Sequence, residues 1–250
     1  MTSNNSKCSR STFFISDLHL DPSRPQLFTL FYDFIDSIRD QADALYILGD
    51  LFEFWIGDDI IDLPEGVPYL PVIEKLKSLS DAGVTLYFIQ GNRDFLAQDE
   101  FVKRIGAELL PDYKVIDLYG TPTMIMHGDT LCTDDKGYQR MRRIFHNKII
   151  QKLYLALSPA SRNRKANKIR NKSKRMTQQK DENILDVNPR EVEKMCKTGG
   201  VCLLIHGHTH RPAVHELELA GKQLKRVVLG DWHDKACYLR VNKTDFEFIY

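Results

Sequence analysis

Six short apolar runs, most of them followed at once by aspartate, asparagine or histidine, constrain the fold of this chain more than any other feature. The runs are TFFIS (12–16), ALYIL (44–48), VTLYFI (84–89), TMIM (123–126), VCLLI (201–205) and RVVL (226–229). They are rich in Phe, Ile, Leu, Val and Tyr without polar alternation, which is typical of strands covered on both faces. We therefore predict buried strands at these positions.

Helical periodicity lies between the early strands. In segment 25–40 apolar residues recur at i, i+3, i+4 and i+7, and segment 71–83 repeats the pattern more briefly before Gly83. Segments 236–241 and 246–250 predict further strand with no intervening helix. The alternation of strand and helix favours a layered α/β fold with a mainly parallel sheet.

The composition excludes several classes of protein. The first ten residues are too polar for a signal peptide, and the apolar runs are too short to span a membrane. Five scattered cysteines without a CxxC pair argue against a disulfide framework and a cysteine zinc site. We expect a cytoplasmic protein whose 250 residues form one domain with an elaboration, or two small domains.

Charge is unevenly distributed along the chain. Segment 136–180 contains fifteen of the 35 Lys and Arg residues and no Asp or Glu, so 20 basic residues remain beside 34 acidic ones elsewhere. The segment also has apolar residues at helical spacing. We predict a basic helical insertion at 136–180, packed on a core of 11–135 and 181–250, that faces phosphate groups, nucleic acid or an anionic membrane.

Polar residues with metal-binding side chains follow five of the predicted strands. They are Asp17 and His19, then Asp50, Asn92, His127, and finally His208 and His210. Ligands in α/β folds bind outside the carboxyl ends of the strands, so these residues are expected to converge. A single DxH after a strand is more often a turn or a helix cap, and the joint pattern is what indicates a site.

These residue types indicate a particular chemistry. Carboxylate, amide and imidazole ligands without cysteine suit Mn²⁺, Fe or Zn²⁺. Seven such ligands are too many for one ion, whereas two ions sharing a carboxylate polarise a phosphoryl oxygen and activate water. The sequence therefore predicts phosphoester chemistry.

The five strand ends resemble the signature of the calcineurin-like metallophosphoesterases. Within that superfamily the strings YILGDLFEFWIGDD, GNRDFL, MHGDTLCTDD and HGHTHRPAVHEL resemble the branch that acts on a nucleotide-diphospho-lipid in lipid A biosynthesis. The resemblance implies a four-layer αββα sandwich of mixed sheets with a helical cap insertion. It also implies hydrolysis of the pyrophosphate bond of UDP-2,3-diacylglucosamine, by water attacking the uridine-side phosphorus, to 2,3-diacylglucosamine 1-phosphate (lipid X) and UMP.

The same resemblance assigns residues to roles. It places one ion on Asp17, His19, Asp50 and His210 and the other on Asp50, Asn92, His127 and His208, with Mn²⁺ the usual metal. Substrate contacts would come from Asn92, Arg93, Asp135, Ser173, Thr177, Lys180 and His208, although Thr177 stands where relatives often have Asn. His206 matches no ligand position, and we expect it to pack or to support a neighbour.

Arg93 departs from the wider superfamily, in which a histidine that protonates the leaving group often follows the asparagine. A guanidinium cannot give up a proton. A phosphate monoester leaving group, whose second pKa is about 6, departs without protonation, whereas an alkoxide needs an acid. Arg93 therefore favours pyrophosphate cleavage, with its guanidinium as a clamp on the diphosphate.

The insertion fits a lipid substrate and suggests a location. Its apolar residues are expected to help line an acyl channel or to pack the insertion on the core, and they are Ile149, Ile150, Leu153, Tyr154 and Leu157. Its cations predict peripheral attachment to the cytoplasmic face of the inner membrane. We expect no nucleic-acid or obligate protein partner. A nuclease, a protein phosphatase and a non-catalytic membrane or nucleic-acid binding module are the alternatives.

Overall fold

The computed structural model describes residues 10–177, 186–219 and 221–250, without the side chains of 171–177, 219 and 222. The strands are β1 (Ser11–Ile15), β2 (Ala42–Ile47), β3 (Thr85–Phe88), β4 (Ala107–Leu109), β5 (Tyr113–Leu118), β6 (Thr121–Met126), β7 (Leu203–His206), β8 (Ala213–Leu219), β9 (Lys222–Val228), β10 (Tyr238–Val241) and β11 (Phe246–Ile249). The α-helices are α1 (Pro25–Ile38), α2 (Leu70–Asp81), α3 (Asp99–Ile105), α4 (Lys136–Phe145), α5 (Lys148–Leu155), α6 (Pro159–Thr177) and α7 (Pro189–Gly199).

The strands form two mixed sheets. The first has the order β11-β10-β1-β2-β3-β4, in which β1 to β4 are parallel and the last two strands of the chain are antiparallel. The second has the order β5-β6-β7-β9-β8, in which β6, β7 and β9 are parallel. The strand and helix alternation favoured one mainly parallel sheet, whereas the structure has two sheets that each combine parallel and antiparallel pairs. The mixed sandwich implied by the resemblance is confirmed.

Alternating side chains along the strands bury both faces of each sheet. Phe13 and Ile15 of β1 pack with helices α1 to α3, whereas Phe14 lies in the cluster between the sheets. In the second sheet Ile125 faces the first sheet, and Met124 packs against α7. Four layers follow from this alternation: helices, sheet, sheet, helix.

The sequence pattern located most of these elements. All six predicted strands, both early helices and the two strands of the tail are present within a few residues of the predicted bounds. Segment 136–177, for which the periodicity predicted helical structure without a number of helices, contains three of them. Strands β4, β5 and β8 and helices α3 and α7 were not predicted. Among the described helices, none combines the length and the apolar character that crossing a bilayer requires.

Candidate metal centre

The predicted site residues converge where the carboxyl ends of the two sheets meet. Asp17 and His19 follow β1, Asp50 follows β2, Asn92 follows β3, His127 follows β6, and His208 and His210 follow β7. Two groups of potential metal ligands result, with ligand atoms within 4.8 Å of one another: Asp17, His19 and His210, and Asp17, Asp50 and His127. The strands are spread over both sheets, but their parallel direction within each sheet brings these turns together.

Most of these side chains lie on unusual backbone. Six non-glycine residues of the described chain have a positive φ, and Tyr119 is the one that was not a predicted ligand. The other five are Asp17 (58°), His19 (48°), Asp50 (52°), His208 (71°) and His210 (54°). Such conformations cost about 1–3 kcal/mol each and persist where the surroundings fix them, often at functional sites. The fold therefore stores strain at the predicted ligands.

Glycines in the motifs permit close contact between the turns. A Cβ on Gly91 would lie 2.2 Å from Asp50 Oδ1, and one on Gly207 would lie 2.1 Å from Asp17 Oδ2. The same two oxygens accept backbone hydrogen bonds, from Arg93 N to Asp50 at 2.8 Å and from His208 N to Asp17 at 2.8 Å. The glycine that precedes a ligand is thus a steric requirement of the site.

Asp50 lies between the two groups of histidines. Its Oδ2 is 3.9 Å from His19 Nε2, and its Oδ1 is 3.7 Å from His127 Nε2. On one side His210 Nε2 lies 3.4 Å from Asp17 Oδ1, an oxygen that is buried and accepts no hydrogen bond from the described residues. On the other side His127 Nε2 lies 3.1 Å from Asn92 Oδ1. Each Asp50 oxygen thus faces a separate set of ligand atoms.

The electrostatics of the cluster are strongly perturbed. Burial alone would raise the pKa of Asp17, but the adjacent His210, His127 and His19 hold it well below its usual range. Burial, together with the neighbouring Asp94 and Asp17, raises the pKa of Asp50. Burial lowers the pKa of His208 to about 3. Opposed shifts within one buried cluster are typical of functional sites.

Neighbouring groups orient the histidines. His127 Nδ1 lies 2.8 Å from the carbonyl oxygen of Leu48, and His210 Nδ1 lies 3.3 Å from Asp231 Oδ2. Such contacts at the far nitrogen leave Nε2 directed into the cluster, an arrangement typical of metal-bound histidine. His206, by contrast, is buried against Arg226 and the Gly207 carbonyl, at 3.3 and 2.9 Å, and it is not in either ligand group.

Sequence reasoning missed several residues that shape the site, among them Asp94 and Tyr138. Asp94 is fully buried and accepts hydrogen bonds from the backbone N–H groups of Asp50, Leu51 and Gly91, which ties two ligand turns together. The string GNRDFL contains this aspartate two residues after the predicted ligand, and that spacing was the available signal. Tyr138 donates to Asp129 Oδ2 at 2.6 Å, and its ring lies 5.8 Å from that of His208.

The predicted substrate contacts have different outcomes. Asn92 and Arg93 line an apolar cavity between the core and the insertion. Asp135 caps helix α4 by accepting from Tyr138 N at 3.0 Å. Ser173 and Thr177 are on helix α6, where their side chains lie outside the described structure, and Lys180 lies outside the described residues.

Two of the five insertion residues that were predicted to line an acyl channel or to pack the insertion on the core lie at this cavity. Ile150 and Tyr154 line the cavity beside Phe95 and Phe145. Ile149, Leu153 and Leu157 do not line it, because the turn of helix α5 directs the first two outward. These three side chains are exposed by 72%, 67% and 37%, respectively.

Comparison of the sequence with known protein families identifies the family of this chain. The sequence model of the calcineurin-like phosphoesterase family matches residues 11–212. The chain belongs to this family, and it is a metal-dependent hydrolase of the phosphoesterase class.

Its sequence relatives are more specific. A protein of Serratia proteamaculans (strain 568) is 48% identical over 239 residues, and one of Yersinia enterocolitica (serotype O:8 / biotype 1B) is 50% identical over 239 residues; each alignment covers 96% of this chain and 98% of the relative. A protein of Pseudomonas aeruginosa (strain UCBPP-PA14) is 44% identical over 232 residues, covering 93% and 95%. All three are named UDP-2,3-diacylglucosamine hydrolase. The predicted resemblance to this branch is thereby confirmed.

Proposed function

We propose that this protein hydrolyses the pyrophosphate bond of UDP-2,3-diacylglucosamine to 2,3-diacylglucosamine 1-phosphate and UMP. One observation carries the proposal: a cluster of carboxylates and histidines, most of them buried, lies next to an apolar cavity that Asn92 and Arg93 line. A phosphate-cleaving centre beside an apolar cavity suits a substrate with a diphosphate and acyl chains. The names of the three relatives support the same substrate.

The residues fit a pair of divalent cations. Asp17 Oδ1 is buried and has no hydrogen-bond donor among the residues that the structure describes, and the Nε2 atoms of three histidines point inward. Both are properties of an oxygen and nitrogen ligand set. Asp17, His19, Asp50 and His210 would hold one ion, and Asp50, Asn92, His127 and His208 the other. When bound, the cations, which we propose to be Mn²⁺, supply Lewis-acid stabilisation and a nucleophilic water.

The protein's own groups position the diphosphate. The Arg93 guanidinium lies 5.5 Å from the centre of the Phe54 ring and lines the cavity next to Asn92. From there it clamps the phosphate oxygens on the lipid side, where charge develops as the bond breaks. Because the departing group is a phosphate with a second pKa of about 6, it leaves without a proton donor at this position. Attack on the uridine-side phosphorus is consistent with this clamp.

The insertion would form the lipid-binding part of the site. We propose that segment 136–180 is a cap on a core of 11–135 and 181–250. Phe145 of α4 stacks on Phe95 of the core with ring centres 5.7 Å apart, which closes one side of the cavity. Acyl chains in this cavity would be separated from water, and substrate contacts by Asp135, Ser173, Thr177, Lys180 and His208 would surround the sugar and diphosphate.

Helix α5 provides a surface for peripheral attachment to a membrane. Ile149 and Leu153 are four residues apart and exposed, and each directly follows a lysine, Lys148 and Lys152. An exposed apolar pair next to cations is suited to the headgroup region of an anionic bilayer. We propose that the protein binds in this way to the cytoplasmic face of the inner membrane, where a diacyl substrate resides.

A direct test uses the purified chain with Mn²⁺ and three substrates. UDP-2,3-diacylglucosamine, single-stranded DNA and a phosphopeptide are incubated separately, and the products are identified by mass spectrometry. We expect UMP and a diacyl sugar phosphate from the first and negligible turnover of the others. Chelation of the metal, or Asp50→Asn, should abolish the reaction. Faster cleavage of DNA or phosphopeptide than of the lipid would overturn the proposal.

A further inference from the structure

Glu53 is a buried glutamate beside the predicted ligands that the proposed function leaves without a role. It lies three residues after Asp50 and is 8% exposed. Its backbone is fixed by a hydrogen bond from Glu53 N to the carbonyl oxygen of Leu20, at 3.0 Å, and by the adjoining bridge between Leu20 and Phe52. The segments that follow β1 and β2 are therefore joined at this point.

The two carboxylate oxygens of Glu53 face different parts of the site. Oε2 lies 3.4 Å from His19 Nδ1 and 3.5 Å from an Arg24 guanidinium nitrogen. Oε1 lies 3.0 Å from Arg170 Nε, on helix α6 of the insertion, and 4.0 Å from an Arg93 guanidinium nitrogen. One oxygen thus faces a predicted metal ligand, and the other faces the predicted diphosphate clamp and the insertion.

The charges explain why one carboxylate at this position matters. Three guanidinium groups around a single buried point repel one another unless an anion lies between them. Glu53 supplies that anion between all three arginines, and Asp21, whose Oδ2 lies 3.6 Å from Arg170, adds a second, so that three guanidinium groups beside two carboxylates keep a net positive charge. His19 Nδ1 makes no hydrogen bond with the described residues, and the Glu53 charge 3.4 Å away would favour the tautomer with its proton on Nδ1 and with Nε2 free to bind a cation.

We propose that Glu53 is a positioning residue that holds His19 for metal binding and, through Arg93 and Arg170, fixes the diphosphate clamp relative to the insertion. This inference rests on the proposed function. It predicts two separable effects of removing the charge, namely weaker metal binding through His19 and weaker substrate binding through the arginines.

The experiment compares four chains stripped of metal with a chelator. Mn²⁺ is titrated calorimetrically into wild type, Glu53→Gln, Arg170→Met and Glu100→Gln, and KM and kcat for UDP-2,3-diacylglucosamine are measured with saturating Mn²⁺. Glu100 is the matched control, because it is an exposed glutamate that pairs with Arg104 on the surface of α3. The melting temperature of each chain separates folding from function.

We expect Glu53→Gln to weaken Mn²⁺ binding about 10-fold or more, which is the usual effect of losing a group behind a metal ligand, and to raise KM. Arg170→Met should raise KM but keep the Mn²⁺ affinity of wild type, and Glu100→Gln should match wild type in both. A Glu53→Gln chain that only melts earlier, with unchanged affinity and KM, would overturn the inference.

Two further results separate this inference from the proposed function. If Glu53→Gln does not fold, two other variants test the inference. An unchanged KM in Arg170→Met overturns the link to the insertion. An unchanged Mn²⁺ affinity in Glu53→Asp, whose side chain is one methylene shorter, overturns the link to His19. A wild-type chain that binds no Mn²⁺ or does not cleave the lipid overturns the proposed function together with the inference. Normal wild-type behaviour with unaffected Glu53 variants overturns the inference alone.

Discussion

The Nε2 atoms of His19 and His210 lie 3.1 Å apart, although 191 positions separate the two residues in sequence. Their ring planes are inclined by 56°, and both residues have a positive φ. The backbone of the two residues directs both Nε2 atoms to a common point. The arrangement therefore suits two ligands of one cation.

The three alternate histidines of HGHTH should differ in their contribution to activity. His208 and His210 face the cluster, whereas His206 faces Arg226. We expect His208→Ala and His210→Ala to lower kcat at least about 100-fold, and His206→Ala to lower it about 10-fold or less. Bound Mn²⁺, measured by mass spectrometry in each variant, checks the cause. Equal losses of activity and metal in all three variants would contradict this assignment.

Replacement of Asp94 should destabilise the fold as well as the site. Its fully buried carboxylate accepts hydrogen bonds from three backbone N–H groups. In an Asn side chain the NH₂ group would face one or more of these N–H groups, so that two donors would oppose each other. We expect Asp94→Asn to lower the free energy of unfolding in urea by about 2–3 kcal/mol. Asp43 is exposed and serves as the control. Asp43→Asn should change the free energy of unfolding by less than about 0.5 kcal/mol. Equal stability of the two variants would refute the role of Asp94.

Arg162 should hold the insertion on the core. It is fully buried on α6 and donates to the carbonyl oxygen of Ile56 at 2.6 Å and to Asp59 Oδ1 at 2.7 Å. Arg162→Met removes these bonds, and we expect faster amide hydrogen exchange in α5 and α6 and a higher KM for the lipid substrate. Arg164→Met, at an exposed position on the same helix, should behave like wild type. Unchanged exchange in Arg162→Met would show that this contact does not hold the insertion.

The exposed residues of α5 should control binding to vesicles. With the double substitution Ile149→Ser and Leu153→Ser, flotation with anionic vesicles should weaken about 10-fold or more, since each apolar side chain contributes on the order of 1–2 kcal/mol when buried in lipid. Val67→Ser replaces another apolar residue, 57% exposed and outside the insertion, and should have no effect. Binding of wild type should fall as salt rises. Equal flotation of wild type and the double variant would exclude this surface.

The fold was predictable where both faces of an element are buried. Runs such as TFFIS stand out because neighbouring residues enter two different cores. Strand β5, in contrast, lies at the edge of the second sheet and alternates exposed and partly buried residues. Because polar residues interrupt its apolar ones, it does not form a continuous apolar run in the sequence. The hydrophobic periodicity also did not predict the division into two sheets, because long-range contacts decide which strands pair.

The candidate site shows a similar division. Residues directly after strands, such as Asp50 and His127, were identifiable because their position in the chain fixes their position in the fold. Asp94, Glu53 and Asp231 act through contacts between distant segments, and Glu53 contacts Arg170 of the insertion. Nothing in the local sequence of Glu53 and Asp231 distinguishes them from surface carboxylates, so only the three-dimensional arrangement reveals them. For Asp94 the spacing after Asn92 was the one signal in the sequence.

We propose that this cluster cleaves the pyrophosphate of UDP-2,3-diacylglucosamine at the uridine-side phosphorus. Turnover in ¹⁸O-enriched water, followed by mass spectrometry of both products, shows which phosphorus the water attacks. We predict one ¹⁸O atom in UMP, an unlabelled diacyl sugar phosphate, and no turnover in Asp50→Asn. Label in the lipid phosphate, or no release of UMP by the metal-loaded wild-type chain, would contradict the claim.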